Sequence, residues 1–329
     1  MSVPRHPGYP CTLRTATVHR SDFSVSVSPG EHRRVNPDLA ELFDRQGGVA
    51  TTAQILQVAS RRHLQKLVYC GAVQRIWHGV YGLGPGDDVL RLRGLDLACG
   101  EIVTICLGTA ARAYGFDTED TSDIHVLNPL HHQIRSTAAL AVHRREGAPL
   151  RAVSDRLATA PGWTAIEVSR MLPPPRALAT LDAALRSGHC DLVSLAQAAA
   201  MQSGRRGIVK VRALLELADG RAESPMESEA RLVMIDGGLP APVLQYEVID
   251  GRGQVRRLDF AWPEHMLAAE YDSDTWHSGV DALRRDREKL AALQDLGWTV
   301  VPIVVDDVRR RPQVLVDRIQ GHLRRAKVA

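Results

Sequence analysis

Asp259 and Glu270 stand eleven residues apart, each inside a short apolar run: Val255 to Trp262 and Met266 to Tyr271. Strand side chains alternate faces with period two. This reading places Leu258 and Phe260 on one face, with Arg257, Asp259 and Ala261 on the other. In the second run Ala268, Glu270 and Asp272 share a face, opposite Leu267, Ala269 and Tyr271. Pro263-Glu264 reads as a tight connection, which makes the two runs a hairpin with Asp259, Glu270 and Asp272 on a common surface. Carboxylates crowded in this way repel unless a cation or protons neutralise them. Hard oxygen ligands of this type suit Mg²⁺ or Mn²⁺. Asp is disfavoured within strands, so Asp259 is better explained by chemistry than by structure.

The elements that would position these acids follow from local signals. Ser224-Pro225-Met226-Glu227 starts a helix to about Asp236, ended by Gly237-Gly238. Glu227 fits a capping box with Pro at the first helical position, and it also offers a third carboxylate; both roles stay open. Glu229 is the alternative ligand. Strands are expected over Leu244 to Ile249, Val255 to Trp262 and Met266 to about Asp272. A helix over about Val280 to Leu296, with Leu283, Leu290 and Leu293 inward, ends at Gly297. A strand over Trp298 to Val305 and a helix from Pro312 to Arg325 close the chain. The order is helix, three strands, helix, strand, helix.

A second concentration of chemistry lies near the other end. Residues 45 to 86 hold Arg45, Arg61, Arg62, Lys66 and Arg75 and no Asp or Glu. Helices are expected over 37–46, 53–59 and 61–70, the last two capped by Thr52 and Ser60. Val73 to Trp77 and Val80 to Leu83 flank His78-Gly79 as a small hairpin. Three helices and a hairpin make a winged helix-turn-helix. In the third helix Leu64, Leu67 and Val68 form the buried stripe. Arg61, Arg62, Gln65 and Lys66 are then free to enter a DNA major groove, with Arg75 and His78 on the wing against phosphate or minor groove. Gly84 to Asp88 reads as a linker. Residues 89 to 220 alternate helical pieces (90–97, 109–114, 176–186, 192–201) with strand-like ones (123–127, 139–143). They show no catalytic constellation; His131-His132 reads as a polar turn.

Two resemblances rest on these residues. Ser224-Pro225-Met226-Glu227-Ser228, Gly238-Leu239-Pro240, Arg257 to Glu264, Ala269-Glu270-Tyr271-Asp272, Trp276-His277 and Leu296-Gly297-Trp298, taken in order, resemble the very-short-patch-repair (Vsr-like) endonuclease domains of the PD-(D/E)XK superfamily. Gly47 to Thr52 through Arg75 to Tyr81 resembles the winged helix of AbiEi-type antitoxins, DNA-binding proteins of type IV toxin–antitoxin systems. The segment between looks like a connecting region. The first resemblance implies metal-dependent phosphodiester hydrolysis, with Asp259, Glu270 and Glu227 as ligands of Mg²⁺ or Mn²⁺ and Asp259, Glu270, Asp272, His277 and Glu227 as the catalytic set. The lysine usual two residues after the second acid is here Asp272, and His277 could take over as general base or leaving-group acid. Asp272 could orient it. Arg256, Arg257 and the arginines at 284, 285 and 287 could hold phosphates, with Arg257 counted among the DNA contacts, and Trp276 could wedge against DNA.

The remaining chain sets bounds. With 329 residues, 44% apolar and 24% charged, and a net charge of +3, two or three domains are expected. The overall class is α/β, or α+β taken as a whole: residues 1–35 a flexible tail, 36–84 a winged helix, 89–220 a mixed α/β region, and 221–329 an αβββαβ core like that of restriction endonucleases. Cys11, Cys70, Cys99, Cys106 and Cys190 form no C-x-x-C pair, which fits a reducing cytoplasm. No run reaches the ~20 apolar residues of a membrane helix. The expected partners are DNA and a toxin or a second copy. A Mg²⁺-dependent DNA endonuclease is one reading; a non-catalytic regulator or antitoxin with a degenerate nuclease fold is the alternative.

Overall fold

The winged helix-turn-helix is present with one element beyond expectation. α1 (Pro37–Arg45), α2 (Thr52–Val58) and α3 (Arg61–Tyr69) precede the hairpin of β2 (Gln74–Trp77) and β3 (Val80–Gly82), while β1 (Val49–Thr51) adds a third strand in the order β1-β3-β2. The chain is described by a computed structural model over residues 36–84, 86–116, 118–119, 122–129, 133–144, 147–272 and 280–326. Trp276, His277 and the His131-His132 pair lie outside the described residues. Thr51, not Thr52, caps α2: its hydroxyl accepts from the Gln54 amide, and the Gln54 side chain accepts from the Thr51 N–H, a reciprocal capping box. Leu39, Phe43, Ala50, Ile55, Leu64, Leu67 and Val73 close the core beneath.

Asp88 is not linker but the first residue of α4 (Asp88–Cys99), capped by Asp87. The winged helix sits directly on α4. The Trp77 indole N–H donates to the Arg91 carbonyl at 2.8 Å, and Arg93 reaches the Gly47 carbonyl. After α4 come α5 (Leu107–Tyr114), a parallel pair of β4 (Ile124–Leu127) and β5 (Leu140–His143), and an antiparallel pair of β6 (Leu150–Val153) and β7 (Arg156–Thr159). Four helices follow: α6 (Pro161–Met171), α7 (Pro174–Arg186), α8 (Leu192–Met201) and α9 (Ile208–Leu215). α6 has no amphipathic stripe to announce it, because it is buried almost all round, from Pro161 to Ile166. Its Gly162 lets α8 approach: a Cβ there would lie 3.1 Å from the Ser194 carbonyl.

The last region has the expected order. α10 (Pro225–Asp236), β8 (Val243–Ile249), β9 (Val255–Trp262), a 3₁₀ turn (Pro263–His265), β10 (Leu267–Tyr271), α11 (Val280–Asp295), β11 (Thr299–Ile303), α12 (Val305–Arg309) and α13 (Pro312–Ala326) build a sheet of order β11-β10-β9-β8. β10 pairs antiparallel with β9 and parallel with β11. α12 replaces the end of the long expected strand, and Leu290 is 41% exposed rather than inward. The joint with the middle region is close. Leu232 of α10 belongs to the middle core, while its neighbours Ala230 and Met234 belong to the core of the last region. Arg231, between them, donates to Asp182 of α7 at 2.6 Å, with both side chains buried.

Strict face alternation fails at Asp259. Phe260 packs with Leu244, Trp262, Leu267 and Ala269, whereas Leu258 packs on the other side with Ala261, Ala268, Leu293 and Trp298. β8 switches at the same level: Leu244 lies with Phe260, and Tyr246 with Leu258. The switch on β8 is made at Gln245, a non-glycine residue at φ 49, in the left-handed region. Leu258 and Phe260 therefore do not share a face, and Asp259 sits at the crossover.

Candidate functional site

Asp259, Glu270 and Glu227 stand on β9, β10 and α10. The β9–β10 register pairs Ala269 with Phe260, the residues that precede Glu270 and follow Asp259. Asp259 Oδ2 accepts from the Tyr271 amide at 2.9 Å. From α10, Glu227 comes close enough that the Asp259 charge bears on its ionisation. Glu227 keeps its capping duty as well: its N–H donates to Ser224 Oγ, and its Oε2 accepts from the Glu223 amide at 2.9 Å. Burial pushes the Glu227 carboxyl up, against hydrogen bonds from Glu223 and Ser224. Burial likewise raises Asp259, opposed by the Tyr271 N–H and by the Lys289 ammonium.

Two residues of this cluster escape the sequence reading. Gln245 Nε2 donates to Glu227 Oε2 at 2.9 Å, so the residue in strained backbone is the one that reaches the acid. Lys289 of α11 places Nζ 2.6 Å from Glu270 Oε1, with side chains 29% and 24% exposed. A signal for Lys289 existed: it is the single lysine among residues 221–326, in a stretch otherwise rich in arginine. The acids thus have a cation from the chain itself. As arranged they do not fit a divalent ion well: among the described residues no group of three or more His, Cys, Asp or Glu is placed to hold a metal.

The other expected site residues are placed as follows. Asp272 is exposed, its N–H donating to the Ile303 carbonyl. Glu229 is taken by Arg309 in a bidentate pair at 2.7 and 2.9 Å. Arg257 pairs with Glu223 at 2.8 Å and Arg256 with Asp250. Arg284, Arg285 and Arg287 are exposed. His277, expected to supply the proton transfer, lies outside the described residues.

The winged helix presents the opposite electrostatics. α3 buries Leu64 and Leu67 and turns Arg61, Arg62, Gln65 and Lys66 outward. Val68, expected in the buried stripe, is 38% exposed, and Tyr69 at the helix end is 94% exposed. Ser60 Oγ caps α3 by accepting from the His63 amide. At the wing tip Arg75 Nη2 lies 2.8 Å from His78 Nδ1, and Gly79 takes φ 75 to close the turn. Arg61, Arg62 and Lys66 have no carboxylate partner among the described residues.

Comparison with known proteins adds two findings. Residues 103–217 match the AbiEi antitoxin C-terminal domain. The match falls on the middle region, read from sequence as a mere connection, and not on the winged helix that suggested the family. An uncharacterized protein of Mycobacterium tuberculosis strain H37Rv is 56% identical over 270 residues, which is 82% of this chain and 99% of the relative; its counterpart in strain CDC 1551 matches equally. No helix among the described residues is long and apolar enough to cross a membrane. With an AbiEi antitoxin C-terminal domain at its centre, the chain belongs to the family of these two mycobacterial proteins.

Proposed function

We propose that the chain is a DNA-binding regulator of the antitoxin kind, whose winged helix reads an operator and whose AbiEi-like middle region meets a toxin. The observation that carries this reading is the outward face of α3: Arg61, Arg62, Gln65 and Lys66 exposed, in a stretch without any acid from residue 45 to 86. Such a face lets guanidinium and ammonium groups displace counterions from a phosphate backbone and leaves an amide for base edges. The wing, with Arg75 and His78, would flank it on the same duplex. The match over residues 103–217 supports the toxin-facing half. The test is a footprint on DNA upstream of the chain's own gene. The intact protein is expected to protect a palindromic site, the Arg61→Ala, Arg62→Ala double variant to lose it, and Asp259→Ala to keep it. Protection that is insensitive to the arginines would overturn the reading.

A second reading is supported by the charges around Asp259, which bears on the ionisation of Glu227 and feels the Lys289 ammonium that pairs with Glu270. It is Mg²⁺- or Mn²⁺-dependent hydrolysis of DNA in the last region, as the Vsr-like resemblance implies. Lys289 opposes it by occupying the cationic position. Cleavage of plasmid DNA that requires the ion and is lost in Asp259→Ala would establish it; no cutting of duplex, mismatched or single-stranded DNA would remove it.

A further inference from the structure

Arg75 and Trp77 stand two residues apart on β2, and a regular strand would put them on one face. The strand is not regular. Arg75 pairs with Tyr81 and Trp77 with Val80, which leaves Ile76 as the extra residue of a bulge. A bulge of this kind re-aims a side chain. Arg75 is exposed, whereas Trp77 is half-buried and packs against the core of the middle region.

α4 holds the Trp77 side chain in three ways. The indole N–H donates to the Arg91 carbonyl at 2.8 Å. The Arg91 guanidinium carbon lies 5.5 Å from the ring centroid, a cation–π distance. Gly94, one turn on, lets the ring come close: a Cβ there would lie 3.1 Å from Trp77. Glycine inside a helix is otherwise unfavourable, and this approach accounts for it.

Arg91 carries the tie into the middle region. Its Nη1 donates to the Ser122 carbonyl and its Nη2 to the Ala139 carbonyl. The Ala139 carbonyl also accepts the Ile124 amide at 3.1 Å, where β4 and β5 begin to pair. The Arg91 side chain is 14% exposed, too enclosed to reach a duplex itself. On the outer side, Arg75 Nε donates to the Trp77 carbonyl at 3.4 Å, and Arg75 Nη2 lies 2.8 Å from His78 Nδ1. Contacts therefore run without a break from the start of the β4–β5 pair, through Arg91 and Trp77, to the wing tip.

We propose that Arg91 is a positioning residue for DNA binding: anchored on the β4–β5 pair, it fixes Trp77 and thereby the angle at which Arg75 meets a phosphate backbone. The proposal rests on the DNA-binding reading above and adds to it a dependence of the wing on the middle region. A loose wing would give up conformational freedom on meeting a duplex. One already held in place makes its phosphate contact at less entropic cost. A chain of contacts becomes a route of coupling only where its two ends are shown to act on each other.

The test follows the anisotropy of a labelled duplex from upstream of the chain's own gene, titrated with the full chain at several salt concentrations. Loss of one phosphate contact lowers the slope of log affinity against log salt by about one and weakens binding about tenfold near 0.1 M salt. Arg75→Ala is expected to do this by removing the contact, and Arg91→Met by misplacing it. The double variant should bind within about twofold of either single one, since Arg91 acts through Arg75. A loss of folding stability alone does not move the salt slope. Gly94→Ala favours the helix while pressing on the Trp77 ring, so it should weaken binding without lowering the melting temperature; it decides the matter should Arg91→Met not fold. Parental affinity and slope in Arg91→Met, no effect of Arg75→Ala, or single losses that multiply in the double variant each overturn the proposal while the parent still binds. A parent that binds no DNA overturns the DNA-binding reading, and the proposal with it.

Discussion

The winged helix and the last sheet use the same kinds of charged side chain to opposite ends. On α3, Arg61, Arg62 and Lys66 stand in solvent with no carboxylate partner among the described residues. Around the last sheet and its joint with the middle region, Glu270 has Lys289, Glu229 has Arg309 and Asp182 has Arg231. A cation kept unpaired in water costs little and stays available to a polyanion. A buried carboxylate must be answered inside the fold. The difference separates a surface ready for a partner from a cluster that has supplied its own counter-charge.

The contrast would break first at its most buried pair. Asp182→Ala leaves the Arg231 guanidinium uncompensated between two cores and should cost about 3–5 kcal/mol, measured by urea unfolding. Arg61→Ala should shift the same transition by no more than about 0.5 kcal/mol. If both variants unfolded alike, the distinction between paired and unpaired charge would have no energetic content.

Next in size is DNA affinity. The Arg61→Ala, Arg62→Ala double variant should lower the slope of log affinity against log salt by about two, one for each phosphate contact. Anisotropy titrations at several salt concentrations give that slope. Lys289→Met is the corresponding change in the acid cluster. It should cost about 1–2 kcal/mol, since the pair is only partly buried. Mg²⁺ should then raise the melting temperature of the variant and leave that of the parent unchanged. A Mg²⁺-dependent rise in the parent would instead return weight to the nuclease reading.

The smallest effect is a pH dependence. Burial raises the Asp259 carboxyl in the folded state, so the folded protein holds this proton more tightly than the unfolded chain. Its contribution is complete below the ordinary carboxylate range and is lost as pH rises through the raised folded value. Asp259→Asn should therefore flatten the decline of stability with pH on the acid side of neutrality. A steeper decline in the variant would contradict the sign.

Much of this was legible in the chain. The winged helix is carried by local signals, Ser60 as cap, Leu64 and Leu67 as stripe, His78-Gly79 as turn, and these survive folding almost unchanged. The αβββαβ order was legible for the same reason. Face assignment at Asp259 was not, because period-two counting assumes a regular pleat and Gln245 breaks it from the neighbouring strand. α6 was hidden by burial on every side. Lys289 and Gln245 reach the acids from elements distant in sequence, and no spacing rule brings them there. The middle region was underread because its character resides in tertiary closure around Tyr114, Ile166 and Leu181 and not in any local motif.

α10 has a consequence for how the molecule can be divided. Turning Leu232 into one apolar interior and Ala230 and Met234 into another, it is a shared wall. A fragment stopping at residue 220 would expose that interior and leave the Asp182 carboxylate with the Asp219 N–H but without the Arg231 guanidinium. Any ancestor or engineered derivative that discarded the terminal sheet would have to replace this one helix first, so the sheet can shed its chemistry more easily than its place in the chain.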